Sequence, residues 1–101
     1  MIRRGTTPTH TFTFPFDTSS IKSLKIIYAQ GDVEVFHKTK EDCRLDGNSA
    51  YVTLTQEETR AFNHRCDVQV QINALTLGGT SLVSNIERIA VRKNLNNEVM
   101  M

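Results

Sequence analysis

Hydrophobic and polar residues alternate along most of the chain. The first instance is Thr11-Phe12-Thr13-Phe14-Pro15-Phe16, with Phe at every second position and Thr or Pro between. Successive side chains of a strand point to opposite faces, so this segment predicts a half-buried strand with Phe12, Phe14 and Phe16 on one side. Pro15 has no N–H to offer a ladder, which places the strand at an edge or ends its pairing there. Asp17-Thr18-Ser19-Ser20 then has turn composition. Alternation resumes over 21–29 and again after Gly31-Asp32, a pair that predicts a two-residue hairpin loop of type II′. In that register Tyr28 faces Val35 and Ile26 faces His37, while Ile27 faces Phe36 on the opposite side. A slip of one residue would exchange the two sets.

A second hairpin is predicted with Gly47-Asn48 at its tip, which sets Leu45 against Ala50 and Cys43 against Val52, with Leu54 continuing that face. Arg44, Tyr51 and Thr53 fall on the other, polar side. Thr55-Gln56-Glu57-Glu58 has the form of a capping box and predicts a short helical turn reaching about Phe62, which pins it to the core. Glu57 and Glu58 are expected in solvent. Over 66–76 the alternation is strongest, with Val68, Val70, Ile72 and Ala74 on one face and Asp67, Gln69, Gln71 and Asn73 on a solvated one. This predicts a central strand. Leu77-Gly78-Gly79-Thr80 makes a turn, after which Leu82, Ser84 and Ile86 share one parity and Ile89 and Val91 the other. That break predicts a bulge or a strand that changes sheets.

About seven short strands, turns at roughly 8–12-residue spacing and a single helical turn are the pattern of an all-β antiparallel sandwich or small barrel. The boundaries read as an extended segment over 1–8, a single domain over 9–92 and a tail over 93–101. No βαβ rhythm occurs, which excludes a dinucleotide-binding fold, and the Gly78-Gly79 turn precedes no phosphate-binding helix.

Composition changes this picture only by exclusion. The chain has 101 residues, and its 12 Lys and Arg against 11 Asp and Glu leave a net charge of +1, without the block of basic residues that phosphate-backbone binding calls for. Nucleic acid is not an expected partner, and neither is a membrane, because no apolar run approaches the ~20 residues of a spanning helix. Arg3 and Arg4 are followed by no apolar stretch, so the start of the chain does not read as a secretory signal. Cys43 and Cys66 are the only two cysteines. Both are expected as reduced thiols in or near the core.

Candidate chemistry is sparse. His64 with Cys66, or His37 with Cys43, are the pairings a thiol nucleophile would need, and neither has a third group spaced to orient the imidazole. His10, His37 and His64 are scattered, and no zinc or calcium spacing occurs. The sequence therefore predicts no enzyme and no cofactor or metal, and leaves contact with other molecules as the role to expect. On the trial register Ile27 and Phe36 form an apolar pair on an outer face and are candidates for an interface. Tyr51, beside the polar strand face, is the candidate for stacking against a carbohydrate or cell-wall glycan, an alternative role.

Ile2-Arg3-Arg4-Gly5-Thr6-Thr7-Pro8-Thr9-His10-Thr11-Phe12, Tyr28-Ala29-Gln30-Gly31, Leu54-Thr55-Gln56-Glu57-Glu58-Thr59 and the run into Glu98-Val99 resemble short proteins encoded in prophage and mobile regions of gut Firmicutes. These are similar in layout to the immunoglobulin-like N-terminal domain of phage baseplate upper proteins. The resemblance implies a small immunoglobulin-like sandwich and a non-enzymatic structural or adaptor role in a phage tail or baseplate. It implies protein partners, including other copies of the chain, met in the host bacterial cytoplasm during assembly and then in the virion. It brings no catalytic residues with it, and, with the sequence ending soon after the sandwich and before any long fibre or receptor-binding region, a host-recognition role is not expected.

Overall fold

The computed structural model describes residues 2–84 and 86–92, and within them ten strands form two antiparallel sheets and one short parallel ladder. The smaller sheet has the order β2-β6-β5, from β2 (Thr9–Thr13), β6 (Ser49–Thr53) and β5 (Cys43–Asp46). The larger runs β4-β3-β7-β8, from β4 (Val33–Thr39), β3 (Ile21–Gln30), β7 (Val68–Thr76) and β8 (Ser81–Val83), with β9 (Glu87–Ile89) beside β7 on the same side as β8. β1 (Ile2–Arg3) pairs in parallel with β10 (Val91–Arg92). The surplus over the expected seven strands comes from β1 and from the division of the last strand into three. The tail over 93–101 and the run into Glu98-Val99 lie outside the described residues.

The inner faces follow from the alternation. Leu24, Ile26 and Tyr28 of β3 oppose Ala74, Ile72 and Val70 of β7, and this surface packs against Phe12, Ala50, Val52, Cys43 and Leu45 of the smaller sheet. Phe14, Leu54 and Phe62 close the edges of the core. The N-terminal segment is built into the fold: Ile2 is fully buried, and the buried Thr59 accepts from the Gly5 N–H and donates to the Thr6 carbonyl.

The β5–β6 hairpin has the predicted register, with Cys43 opposite Val52 and Leu45 opposite Ala50. The β3–β4 hairpin does not. Gly31 and Asp32 both take positive φ, 57° and 64°, which makes the loop type I′ where type II′ was expected. Ala29 still opposes Glu34, but a bulge leaves Val35 unpaired and brings Tyr28 opposite Phe36 and Ile27 opposite His37. The slip turns the larger ring of Phe36 inward, where it stacks on Tyr28 at 5.0 Å and lies 5.3 Å from Phe62.

The helix α1 (Gln56–Arg60) carries the predicted capping box at Thr55, and Phe62 is buried behind it. Glu58 is not a free surface carboxylate. It accepts from the Thr55 N–H at 2.8 Å and pairs with Lys38 at 2.7 Å. Lys38 lies on the inner face of β4 opposite Ile26, so its ammonium reaches out along the sheet edge to find this partner. Gln69 also departs from the solvated reading: it is buried and exchanges hydrogen bonds of 2.9 Å with Asp32, holding the β3–β4 turn against β7.

Candidate functional site

The three residues proposed as contacts end on three different surfaces. Phe36 faces the core, so it is not an exposed partner of Ile27. Tyr51 lies on the outer face of the smaller sheet with the Arg44 guanidinium 4.3 Å from its ring centre, an arrangement that occupies part of the ring a sugar would stack on. Ile27 is on the outer face of the larger sheet, where it and Ile86 line a hollow of about 200 Å³ with Gln69, Gln71, Asp32 and Glu34.

The thiol–imidazole pairings dissolve. His64 and Cys66 stand in an irregular loop before β7, both exposed, so the strand geometry that would put them side by side is missing. His37 points outward toward Glu34 at 3.1 Å, whereas Cys43 points inward and donates to the Thr39 carbonyl; burial raises the Cys43 pKa. Among the described residues no three His, Cys, Asp or Glu side chains are grouped to hold a metal ion. No helix among them is long and apolar enough to cross a membrane.

One polar pair inside the sandwich escaped the sequence reading. His10 of β2 stacks on Tyr28 of β3, with Nδ1 and Oη 2.8 Å apart. Tyr28 is fully buried and its pKa is raised, chiefly by burial, while burial lowers that of His10. The two groups satisfy each other across the sheets, and such a contact between distant strands leaves no trace in local periodicity.

The surface that stands apart is the free edge of β8. Leu82, Val83 and Ile86 keep 36%, 62% and 50% of their surface exposed. Where β8 gives way to β9, Ser84 replaces ladder bonds: its N–H donates to the Ile72 carbonyl and its Oγ accepts from the Ile72 N–H. Between this edge and β2 runs a groove with an apolar floor. One part, about 230 Å³, is lined by Phe14, Pro15, Ile72, Ala74, Leu82 and Val83 among others. The adjoining part, about 200 Å³, shares Thr13, Ile72 and Ser84 with it and adds Phe12 and Val70 along with the polar Thr11 and Glu87. Across the ladder from Val83, Asn73 has a buried Oδ1 that accepts no hydrogen bond among the described residues.

Other sheet edges are guarded in ways that discourage strand addition. β4 has one exposed apolar residue, Val33, at its turn end and otherwise carries Glu34, His37 and Lys38, β5 carries Arg44 and Asp46, and β2 is a Thr-rich strand with Pro8 before it and Pro15 after it. Among the described residues, the fold and this edge define an all-β sandwich whose β8 border is apolar and unpaired. Comparison of the chain with protein-family models, curated proteins and solved structures finds no match.

Proposed function

We propose that this protein is an association module, a non-enzymatic sandwich that joins protein partners edge to edge through β8. The observation that carries this reading is the contrast between the β8 border, with Leu82, Val83 and Ile86 in water, and the charged or proline-flanked edges elsewhere. An added strand would satisfy backbone groups along β8 and cover these side chains, each worth ~1.5–3 kcal/mol when fully buried. The resemblance of the chain to prophage-encoded proteins and, in layout, to baseplate domains supplies the kind of partner: a tail or baseplate component, or a second copy of the chain. Such an encounter belongs to the host cytoplasm during assembly and later to the virion. The glycan alternative has less support, because Arg44 already lies against Tyr51.

Sedimentation velocity over a concentration series tests the proposal. The expected result is an oligomer that grows with concentration and is lost in Val83→Glu, whose circular dichroism matches the parent because Val83 is largely exposed. A chain that stays monomeric throughout and binds no purified tail or baseplate protein would overturn it.

A further inference from the structure

At the other end of β7 from β8, the loop that follows α1 forms an open cleft of about 400 Å³ with Arg4. Its lining among the described residues is Arg4, Arg60, Ala61, Phe62, Asn63, His64 and Arg65, three arginines and a histidine with no acidic residue beside them. In a chain with 12 basic and 11 acidic residues, this is a local separation of charge. Among the described residues neither Arg60 nor Arg65 forms a salt bridge.

The frame beneath these groups is fixed. Gln30 clamps the loop from the end of β3: its Nε2 donates to the carbonyls of Asn63 and Cys66 at 2.7 and 3.0 Å, and its Oε1 accepts from the Asn63 N–H at 2.8 Å. Asn63 Oδ1 accepts from the Arg65 N–H at 2.9 Å. Arg4 is held by donating to the Arg60 carbonyl at 2.9 Å, and Phe62 anchors the segment in the core. Cations placed on a rigid frame meet an anion without first losing chain entropy.

We infer that this cleft binds a phosphate-bearing anion. A single carboxylate is met in full by one guanidinium fork, whereas a tetrahedral phosphate offers more charge and more acceptor oxygens, which suits the exposed forks of Arg60 and Arg65 on one loop. The cleft is larger than one phosphate group, so a linked chain of phosphates fits it better than a single ion.

The test is a titration of the 15N-labelled chain, followed by amide shifts at constant ionic strength, with inorganic phosphate, tripolyphosphate, hexaglutamate and chloride. Saturable shifts confined to Arg4 and residues 60–65, strongest with tripolyphosphate and weakened roughly tenfold in Arg60→Gln and in Arg65→Gln, are expected. Saturation by inorganic phosphate in the same range would support a site for the free ion; saturation by tripolyphosphate alone would support a phosphate chain. Absence of saturation, shifts equal to those with chloride, or tighter binding of hexaglutamate would overturn the inference. Both arginines are exposed, so the spectra of the variants report on the fold directly.

Discussion

At the residue scale, His10 sets a pH limit on the sandwich. With the Tyr28 hydroxyl donating, Nδ1 of His10 accepts only while the imidazole is neutral. Burial holds its pKa below the usual 6.5, so the unfolded chain takes up a proton first as pH falls. The associated stability is complete above about pH 6.5 and declines as pH drops toward the folded value. Urea midpoints measured from pH 7.5 to 5 should fall along that range, and His10→Asn should flatten the slope. Glu58 acts in a separate, lower window. Burial pushes its pKa up, but the Lys38 ammonium and the Thr55 N–H outweigh that and bring it below 4.5, so its contribution is present above that value and lost as pH falls further. Phe36 gives a second residue-scale prediction. It belongs to the ring cluster with Tyr28 and Phe62, so Phe36→Ala should cost ~2–4 kcal/mol in denaturant unfolding, where an interface residue would leave the midpoint unchanged.

Among elements, those whose geometry is specified within a few residues were legible and those that depend on a distant partner were not. The β5–β6 register follows from alternation on both arms and a Gly tip at φ 59°. Gly47→Ala, with open space around a new Cβ, should therefore cost only the backbone term of about 1 kcal/mol. The Thr55 cap was equally readable, and Thr55→Ala should cost about 1 kcal/mol. In β4, Val33 and Val35 are apolar at one parity and Phe36 at the other, and the place for a large ring beside Tyr28 and Phe62, which the bulge gives to Phe36, is set by distant strands. The clamp from Gln30 to the loop after α1 is similarly invisible in sequence. Gln30→Ala should speed hydrogen exchange at the Asn63 amide, which now donates to Gln30 Oε1, while β7 core amides stay protected. The candidate edge was half legible: the parity break after Ile86 was in the sequence, but whether Leu82 and Val83 sit on a border or in the middle of a sheet is a matter of strand order, which alternation does not encode.

For the whole molecule, the consequential contact is between the first and last described strands. Ile2 and Val91 are partners in the parallel ladder and both are buried, so Ile2→Ala should lower stability by ~2–4 kcal/mol despite its place near the start of the chain. A thermal melt followed by near- and far-ultraviolet dichroism together should show one transition, as expected of a small two-state domain. The bulge that parity allowed between Ile86 and Ile89 is there as a one-residue shift between β8 and β9, both of which pair β7; the step to a second sheet comes later, at the pairing of β10 with β1, and was not anticipated, because two-residue strands have no period to read.

That ladder also governs how the protein is made. During synthesis Ile2 leaves the ribosome well before Val91 and has no partner until Val91 has cleared the exit tunnel. The ladder therefore closes only after the whole of the intervening sandwich has been made, and until then the nascent chain carries an uncovered isoleucine and an unfinished sheet.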